Sequence, residues 1–381
     1  MKVFLVTSTR ADFGLLKNLI YELKKNVYFN LKIIATGTHF SKKYGLSFKE
    51  IKSEKIKIHK KILINCNTNS PKLILKDMSI LSQSISSIIT KEKPDLFIVL
   101  GDRYEICAVS LSAYINKTPI AHIHGGEVTS GSLDDGFRHC VSKMSNFHFV
   151  SHESYKKRLM QLGESPKTIY DVGALGVENI YKTNFLSKNQ LEKLCKINLK
   201  KSILLVCLQP EITKQLTVDL VNETLKALKN YTDKSIIFTM PGADLYNDII
   251  FKKIQTFTRK NRNCLLFETL GSKRFLSFLK IADMIIGNSS SGILEMPTFN
   301  KPTINIGDRQ LGRIKSRSII DVSPNAFLIK KKIDSIYFKK IKILNSKNIY
   351  KKPNTSKKIV SIIRSLNLKK IKQKKFYDIK F

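Results

Sequence analysis

Apolar runs alternate with amphipathic stretches along the first half of the chain. The first run, "MKVFLVTS", ends at a polar turn and precedes "FGLLKNLIYELKK", whose apolar positions recur at helical spacing. Apolar runs of this length that are bounded by turns are typical of buried strands. The pattern predicts strands over 1–8, 30–37, 95–101, 119–126 and 147–151, and helices over 13–25, 76–92, 104–116 and 134–145.

The second half repeats this alternation after "VGALGVENI" and a lysine-rich helix. It predicts strands over 202–210, 235–242, 263–270, 283–292 and 302–307, and helices over 216–229, 247–260, 272–280 and 291–296. Alternating strands and helices are typical of parallel sheets covered by helices on both faces. The sequence therefore predicts an α/β fold of two Rossmann-like domains facing a cleft, with the ligand at the carboxyl ends of both sheets.

Length and composition agree with two domains, because the 381 residues exceed one ordinary core and 42% of them are hydrophobic. We expect an N-terminal Rossmann-like domain over 1–173, a linker over 174–200 and a C-terminal Rossmann-like domain over 201–360. Residues 361–381 form a basic C-terminal helix or tail, which we expect to pack back on the N-terminal domain. The preceding "TSKKIVSIIRSL" also has helical spacing.

The formal net charge of +37 is typical of proteins that bind nucleic acid. The excess is nearly all lysine spread through the helices, however, and neither arginine clusters nor interleaved aromatic residues accompany it. We therefore predict no nucleic-acid partner. No apolar run reaches the roughly 18 residues of a membrane helix, and no signal peptide begins the chain, so we predict a cytoplasmic protein without a membrane partner. The six cysteines form no CxxC pair and are expected to be reduced.

Two turns follow strands at corresponding places in the two halves. In "TSTRAD", the start of a helix favours an anion, and Arg10 offers a bidentate phosphate contact; equally, Asp12 is an N-cap and Arg10 a solvated side chain. Neither GxGxxG nor GxxxxGK[ST] is present. In "GNSSSGILE", three serines and a glycine exceed what helix capping requires, which favours phosphate binding by Ser289 and Ser290, with Glu295 on a ribose diol. Arg309 is expected within reach of the same anion.

Charged residues gather where two strands of the first half end. "VLGDRYE" places Asp102 and Arg103 at the carboxyl edge, where the alternative is a capping aspartate and an Arg103–Glu105 pair. The next predicted strand begins the segment "HIHGGEVTSGSLDDGFRHC", which contains two carboxylates, two imidazoles and a guanidinium that could lie at the same edge: Glu127, Asp134, His122, His124 and Arg138. No metal-ligand spacing is present, so we favour general acid–base chemistry, although Asp134 is also a natural N-cap.

Six motifs occur in order over residues 7–313: "TSTRADFGLL", "TGTHFS", "GDRYE", "HIHGGE…DDGFRH", "VGALGVE" and "GNSSSGILE…INIGDRQLGR". Together they resemble the hydrolysing UDP-N-acetylglucosamine 2-epimerases of sialic and legionaminic acid synthesis. The resemblance implies a glycosyltransferase-B-like fold, a homodimer, and no metal or redox cofactor. It also implies anti elimination of UDP to a glycal, followed by hydration with protonation at C2 from the opposite face, releasing N-acetylmannosamine or its analogue.

The resemblance also implies the site residues. The catalytic candidates are Asp102, Glu127, Asp134 and His124; the substrate-binding candidates are Arg10, His39, Arg103, Arg138, Gln209, Ser289, Ser290, Glu295 and Arg309. Relatives can have glutamate at the third position of "HIHGGE", where this chain has His124. The acid–base role of that glutamate therefore falls either to His124 or to Glu127, and Glu127 is slightly favoured. Gln209 replaces a histidine of an "HP" turn, and Gly242 replaces an asparagine.

These departures leave the substrate open. UDP-N-acetylglucosamine is the first expectation, and UDP- or GDP-linked N,N'-diacetylbacillosamine is the alternative, with UDP-linked sugars favoured over GDP-linked ones. A glycosyltransferase-B transferase is a further hypothesis; it requires an acceptor site and fewer carboxylates beside C2. A basic scaffold for nucleic acid is the third, and it predicts DNA binding that falls steeply with salt.

Overall fold

The computed structural model describes residues 1–66, 68, 70–338, 347–368 and 374–379. They form two units, each built around a parallel sheet. The first unit comprises Met1–Glu127, Leu133–Asn179 and Tyr350–Phe381, and the second comprises Val128–Ser132 and Ile180–Ile349. None of the described helices combines the length and the apolarity that crossing a membrane requires.

The first unit contains a seven-stranded parallel sheet in the order β3-β2-β1-β4-β5-β6-β7. Its strands are β1 (Lys2–Thr7), β2 (Asn30–Ala35), β3 (Ile58–Lys61), β4 (Leu96–Leu100), β5 (Ile120–Ile123), β6 (Phe147–Val150) and β7 (Ile169–Asp171). Between residues 10 and 182 the chain forms the helices α1 (Arg10–Lys25), α2 (Phe48–Ser53), α3 (Pro71–Glu92), α4 (Tyr104–Ile115), α5 (Asp134–Met144), α6 (Glu153–Gln161) and α7 (Leu175–Lys182). Alternate residues of β4 enter two separate cores: Leu96 and Ile98 on one face, Phe97 and Val99 on the other. This explains why the strand is apolar throughout.

The second unit contains a six-stranded parallel sheet in the order β10-β9-β8-β11-β12-β13. Its strands are β8 (Ile203–Cys207), β9 (Ser235–Thr239), β10 (Cys264–Phe267), β11 (Met284–Gly287), β12 (Thr303–Ile306) and β13 (Ile319–Val322). Its helices are α8 (Lys188–Cys195), α9 (Lys214–Leu228), α10 (Asn247–Lys260), α11 (Gly271–Ile281), α12 (Ser290–Leu294) and α13 (Ala326–Tyr337). In each sheet the strand order reverses once, between β1 and β4 and between β8 and β11. Ligands of doubly wound sheets bind at the carboxyl ends of such neighbouring strands.

The sequence pattern missed three outer strands and placed some ends wrongly. Strands β3, β7 and β13 lie at sheet edges and contain charged residues, so they lack the continuous apolar run that marks a central strand. The strand predicted over 283–292 ends at Gly287, whose φ of 132° takes the backbone out of the strand. A Cβ there would lie 2.1 Å from the carbonyl oxygen of Cys207, so the position requires glycine.

The end of the chain divides differently from the predicted domains. The predicted linker 174–200 contains α7 and α8, and helix α14 (Thr355–Ser365) lies in the first unit rather than the second. Ile359 and Ile363 of α14 are buried in the same core as Leu16 and Leu19 of α1, and this long-range packing has no local signature in the sequence.

Part of the predicted basic tail, residues 369–373 and 380–381, lies outside the described residues. Residues 374–379 belong to the first unit, where Lys374 reaches the C-terminal end of α5. Its Nζ lies 2.7 Å from the carbonyl oxygens of both Lys143 and Ser145, and 2.6 Å from Oε2 of Glu164. A cation at a helix C-terminus satisfies carbonyl groups that have no partner within the helix.

We predict that Glu92 makes stability sensitive to acid. Burial raises the pKa of the Glu92 carboxyl, but hydrogen bonds from Lys32 and His59 outweigh burial and lower this pKa to about 2. The stabilisation is therefore fully present above the ordinary pKa of glutamate, about 4.3, and is lost as the pH falls towards 2. Glu92→Gln should lower the free energy of unfolding near neutral pH, and its difference from wild type should shrink under acid.

Urea unfolding between about pH 7 and about pH 3 measures this difference. Glu268→Gln is the control, because Glu268 is exposed. A Glu92→Gln difference that stays constant over the whole range would contradict the assignment.

Candidate active site

Asp102 lies at the switch point of the first sheet. It follows β4 after Gly101, whose φ of 85° turns the chain away from the strand. The N-cap of α4 is Arg103, so the alternative of a capping aspartate at position 102 is wrong. Instead the carboxylate forms an ion pair with Nη2 of Arg138, and 23% of the Asp102 side chain is exposed. Asp102 is thus held by one cation and still open to solvent.

Arg138 joins the ends of two neighbouring strands. It lies on α5, and its side chain is almost completely buried. Besides the ion pair with Asp102, its Nη1 donates a hydrogen bond of 3.3 Å to the carbonyl oxygen of His124 and lies 3.7 Å from Oε2 of Glu127. The guanidinium therefore fixes the residue after β4 relative to the loop after β5.

His124 and Glu127 lie side by side in that loop. Nδ1 of His124 is 3.4 Å from Oε1 of Glu127, and the same oxygen accepts a hydrogen bond of 2.8 Å from the hydroxyl of Ser151. His124 has a φ of 66°, in the left-handed region, and its N–H donates to the carbonyl oxygen of Phe149. The two side chains that the sequence left as alternatives are therefore in contact.

His122, the third residue of β5, is buried next to this loop and is hydrogen-bonded at both ring nitrogens. Burial lowers the pKa of the His122 imidazole to about 3, so the ring is neutral. Its Nε2–H donates to the carbonyl oxygen of Gly101 at 2.8 Å, and its Nδ1 accepts from the hydroxyl of Ser142 at 3.1 Å. Both ring nitrogens are used within the protein, which makes His122 a structural residue next to Asp102.

The glycine pair of "HIHGGE" is required by close packing. A Cβ at Gly125 would lie 2.8 Å from Nδ1 of His122. Gly126 has a φ of 75°, and a Cβ there would lie 2.5 Å from the carbonyl oxygen of Tyr155. The carbonyl oxygen of Gly126 accepts a hydrogen bond of 2.9 Å from Arg158 of α6. These contacts fix the turn that carries His124.

Asp134 is the first residue of α5. The N-cap is Leu133, whose side chain makes no capping hydrogen bond, so the alternative of Asp134 as the N-cap is wrong. Its carboxylate lies in the first turn, where the helix dipole favours negative charge. Arg138 follows one turn later on the same helix, as the sequence predicts.

The "TSTRAD" turn is held together by its own side chains. Thr9 is the N-cap of α1 and forms a capping box with Asp12, which corrects the alternative that Asp12 is the N-cap. The Asp12 carboxylate also accepts hydrogen bonds from the side chains of Thr7 and Ser8. Arg10 is the first residue of the helix and is half-buried.

His39 and Arg103 have partners inside the first unit. The His39 ring is fully buried, with Nε2 2.9 Å from the Thr7 hydroxyl and Nδ1 2.8 Å from the Ser47 hydroxyl, and burial lowers its pKa. Nε of Arg103 donates to Oε2 of Glu105 at 3.0 Å, so the predicted alternative of an Arg103–Glu105 pair is confirmed. Burial raises the pKa of the fully buried Glu105 carboxyl despite this arginine.

A buried asparagine organises the switch point of the second sheet. The Asn288 side chain accepts from the Gln209 N–H at 2.7 Å and donates to the Gln209 carbonyl oxygen and to Oε1 of Glu211, both at 2.9 Å. Oε1 of Gln209 accepts from the Gly242 N–H at 2.8 Å. The two departures from the family pattern, Gln209 and Gly242, are therefore in contact. Sequence reasoning missed Asn288, although a polar residue directly after a buried strand was the available signal.

The serines that the sequence assigned to phosphate lie beside Asn288. Ser289 is the N-cap of α12, and its hydroxyl accepts from the Ser291 N–H at 3.4 Å. Ser290 is the first residue of this short helix. Glu295 is its C-cap and is buried, so the helix ends at Leu294, earlier than the predicted 291–296.

Arg309 connects several loops of the second unit. Its Nη1 donates to the carbonyl oxygen of Pro210 at 2.9 Å and to the Ser132 hydroxyl at 3.2 Å, and its Nη2 lies 3.1 Å from Oδ2 of Asp244. Burial raises the pKa of the nearby Glu211 carboxyl, against the lowering effect of Asn288 and Arg309. A guanidinium and a carboxyl with a raised pKa therefore lie at the same edge of the sheet.

We predict that Asn288→Ala destabilises the second unit by about 2 kcal/mol or more, because the partly buried Gln209 N–H and the buried Glu211 carboxyl lose a hydrogen-bond partner. Urea unfolding measures the change, and Asn222→Ala, at an exposed position of α9, is the matched control. Equal stabilities for the two variants would contradict this role of Asn288.

Comparison with known proteins identifies the family. A family model described as UDP-N-acetylglucosamine 2-epimerase matches residues 21–364. The chain belongs to this family. It is 40% identical, over 99% of both chains, to the GDP/UDP-N,N'-diacetylbacillosamine 2-epimerase (hydrolyzing) of Campylobacter jejuni. It is 35% identical to the polysialic acid biosynthesis protein P7 of Escherichia coli, over 99% of this chain and 97% of that protein.

The fold agrees with a solved structure of a family member. The crystal structure of UDP-GlcNAc 2-epimerase from Neisseria meningitidis bound to UDP-GlcNAc matches 96% of this chain and 100% of its own, with a TM-score of 0.81 and 21% identity. The predicted fold class, two Rossmann-like α/β domains of the glycosyltransferase-B-like kind, is confirmed.

Proposed function

We propose that this family member is a hydrolysing 2-epimerase of nucleotide-diphosphate-linked N,N'-diacetylbacillosamine. The observation that carries the proposal is the 40% identity, over 99% of both chains, to an enzyme named for this activity. The first expectation from the sequence was UDP-N-acetylglucosamine. It is the second candidate here, since the relative from Escherichia coli at 35% identity is named for polysialic acid biosynthesis.

The proposed reaction has two steps. In the first, a base removes the proton at C2, the C1–oxygen bond breaks, and the nucleoside diphosphate leaves, so that C1 and C2 form the double bond of a glycal. In the second, a water oxygen adds to C1 and a proton is delivered to C2 from the opposite face. The products are the free sugar with inverted C2 and the nucleoside diphosphate. No electron is transferred, so the reaction needs no redox cofactor; that it also needs no metal stays the prediction made from the resemblance.

We propose that the first unit supplies the proton-transfer groups. The elimination and the hydration need acid–base groups on both faces of one carbon. Asp102 supports one such role, because it is partly exposed and paired with Arg138. The further candidates are His124 and Glu127, which contact the same guanidinium, and Asp134, which lies one turn before Arg138 on α5.

We propose that the second unit supplies the groups that bind the nucleotide. The leaving diphosphate must be stabilised by N–H dipoles and cations. Gln209 supports this role because its Oε1 is occupied by the Gly242 N–H, so its Nε2 amide serves as a donor. The other proposed nucleotide contacts are Ser289, Ser290, Glu295 and Arg309, together with Arg10 from the first unit. His39, near the sugar, and Arg103 and Arg138 are the remaining proposed substrate-binding residues.

The two other hypotheses have less support. A transferase predicts few carboxylates beside the reacting sugar, whereas Asp102, Glu127 and Arg138 form one connected cluster. A nucleic-acid scaffold gives no reason for a buried cluster of acids. The homodimer, the cytoplasmic location and the absence of nucleic-acid and membrane partners stay predictions.

Parallel reactions with three donors test the proposal: UDP- and GDP-linked N,N'-diacetylbacillosamine and UDP-N-acetylglucosamine. Anion-exchange chromatography measures the released nucleoside diphosphate, and kcat/KM ranks the donors. We expect a diacetylbacillosamine donor to be preferred over UDP-N-acetylglucosamine by at least about tenfold, since the net contribution of one hydrogen bond reaches about 1.5 kcal/mol, which is roughly this factor. Preference for UDP-N-acetylglucosamine would favour the second candidate. Nucleotide release only with an added acceptor would favour the transferase.

A further inference from the structure

His122 connects the turn that carries Asp102 to helix α5. We propose that His122 is a positioning residue for Asp102. Together with Ser142 it fixes the backbone just before Asp102, whereas Arg138 fixes the Asp102 carboxylate. The inference deepens the proposed function and rests on it for the role of Asp102 in proton transfer. Neither His122 nor Ser142 is among the site residues that the family resemblance implies.

The two hydrogen bonds of His122 decide which ring nitrogen carries the proton. Nε2 lies 2.8 Å from the carbonyl oxygen of Gly101, which can only accept, so the proton is on Nε2. Burial lowers the pKa of the imidazole to about 3, so the ring is neutral and Nδ1 keeps its lone pair. Nδ1 accepts from the Ser142 hydroxyl at 3.1 Å. Two partners from different elements therefore hold the fully buried ring in one orientation.

The backbone of Gly101 is bound to β5 on both sides. Its N–H donates to the carbonyl oxygen of Ile123 at 3.0 Å, and its carbonyl oxygen accepts from the His122 ring. Its φ of 85° is in the left-handed region, and a Cβ there would meet no atom within 4 Å. The backbone conformation, rather than lack of space, therefore requires glycine. The His122 hydrogen bond thus acts on the single residue that separates β4 from Asp102.

Helix α5 holds this turn at two points with one of its faces. Arg138 and Ser142 are four residues apart, so their side chains lie on the same face of the helix. Arg138 forms the ion pair with the Asp102 carboxylate. Ser142 reaches the Gly101 carbonyl oxygen through the His122 ring. The Asp102 side chain and the backbone before it are therefore both fixed relative to α5.

Gly125 leaves the space that the hydrogen bond between Ser142 and His122 needs. A Cβ at position 125 would lie 2.8 Å from Nδ1 of His122 and 2.9 Å from the Ser142 hydroxyl oxygen. A side chain at this position would therefore displace the ring, the hydroxyl or both. The first glycine of "HIHGGE" thus serves the contact that we assign to the positioning of Asp102.

Two substitutions at position 122 separate the two hydrogen bonds. The glutamine amide nitrogen reaches the place of Nε2 and can donate to Gly101, whereas the shorter asparagine reaches only the place of Nδ1. With the donor that the wild type turns over, we expect His122→Gln to keep kcat within about fivefold of the wild type. His122→Asn should lower kcat about 10- to 100-fold with KM nearly unchanged, because a displacement of about 1 Å lowers the rate by up to about 10²-fold. Equal kcat values for the two variants, both shown to be folded by thermal unfolding, would overturn the proposal.

Ser142→Ala tests the same connection if His122→Asn does not fold. It removes the hydroxyl that holds Nδ1 and leaves the imidazole in place. We expect kcat to fall about three- to tenfold, the contribution of one hydrogen bond. An unchanged kcat would contradict the proposal.

A double-mutant cycle with Asp102→Asn tests whether His122 acts through Asp102. In the Asp102→Asn background, His122→Asn should lower kcat by less than about threefold, since the group that it positions no longer transfers a proton. Its effect on the midpoint of thermal unfolding should be similar in both backgrounds. A decrease in kcat of equal size in both backgrounds would show that His122 does not act through Asp102, and would overturn the proposal.

His148 is the matched control, because it is a fully buried histidine at the paired position of the neighbouring strand β6. Its Nε2 lies 3.0 Å from Oε2 of Glu164, so its hydrogen bond does not act on the Asp102 turn. The kcat values of folded His148→Gln and His148→Asn should agree within about twofold. A difference as large as that between the two His122 variants would mean that the comparison reports packing alone, and would overturn the proposal.

A measurement without substrate separates this inference from the proposed function. In the full-length protein labelled with 15N-histidine, long-range 1H–15N correlation spectra identify the protonated ring nitrogen, and the His122 signal is the one absent in His122→Gln. We expect a neutral ring with Nε2–H down to about pH 5, well below the ordinary histidine pKa of about 6.5. A ring with Nδ1–H, or a charged ring at about pH 6, would overturn the proposal. If the wild type turns over none of the three donors, the proposed function fails, while this spectrum still decides whether His122 holds the Gly101 carbonyl.

Discussion

Asp102→Asn is expected to lower kcat about 10²–10⁴-fold, the usual contribution of a general acid or base. Asparagine has nearly the same shape as aspartate, and its carbonyl oxygen can still accept a hydrogen bond from Arg138, so the fold should be retained. What the variant loses is the ability to take up or release a proton at the carboxyl edge of β4. Of the two carboxylates that contact Arg138, that of Asp102 is paired with the guanidinium and its side chain is still 23% exposed, whereas the Glu127 side chain is fully buried.

Steady-state kinetics with the preferred donor measure the effect, and thermal unfolding confirms that the variant is folded. Asp378→Asn is the matched control, because Asp378 is an exposed aspartate of the same unit. A folded Asp102→Asn variant that keeps kcat within about threefold of the wild type would remove Asp102 from the proton-transfer groups.

Arg138→Met is expected to destabilise the protein by about 3–5 kcal/mol, because breaking a buried ion pair leaves an uncompensated charge. The guanidinium is almost fully buried and contacts the Asp102 carboxylate, the Glu127 carboxylate and the His124 carbonyl oxygen. Methionine fills most of the volume but neutralises none of these groups. The stability of Arg138→Lys should lie between that of the wild type and that of Arg138→Met. A single ammonium group does not reproduce the planar guanidinium that spans both carboxylates.

Urea unfolding of both variants measures the loss. Arg262→Met, at an exposed position after α10, is the control and should change stability by less than about 0.5 kcal/mol. Glu127→Gln is also expected to restore part of the stability lost in Arg138→Met, because it removes a carboxylate that this variant leaves without its cation. Near-wild-type stability of Arg138→Met would contradict the central position of this guanidinium.

Much of the fold was predictable because central strands of a parallel sheet are buried on both faces. Strands β1, β4 and β8 are continuous apolar runs for this reason, and the turns that follow them carry the polar residues. Edge strands such as β3 and β13 are exposed on one side, so charged residues interrupt their pattern. The return of α14 to the first unit depends on packing between residues more than 300 positions apart in the chain, for which a single sequence carries no periodic signal.

The site was predictable as a set of residues but not as a geometry. Spacing placed Asp102, His124 and Arg138 at one sheet edge, and in the structure the Arg138 side chain contacts both the Asp102 carboxylate and the His124 carbonyl oxygen. Spacing could not show that Glu127 contacts the His124 ring, because that contact depends on the left-handed backbone at His124 and on the two glycines that follow. Chemistry alone favoured Glu127 for its carboxylate.

The helix N-caps also could not be predicted exactly from the sequence. Asp134 and Asp12 are residue types that favour N-caps, yet the caps are Leu133 and Thr9. Residue preference predicts that a helix begins nearby, while tertiary contacts decide at which residue. For Asp12, hydrogen bonds from Thr7 and Ser8 bind the carboxylate back to the end of β1.

Proton NMR of the reaction in deuterated water tests the central claim, that this protein inverts C2 by elimination and hydration. The preferred donor is incubated with the wild type, and the sugar product is followed at C1 and C2. We expect a free reducing sugar with inverted C2 that carries deuterium at that carbon, together with one equivalent of nucleoside diphosphate. A free sugar that keeps its original proton and configuration at C2 would show simple hydrolysis of the C1 bond and would contradict the account.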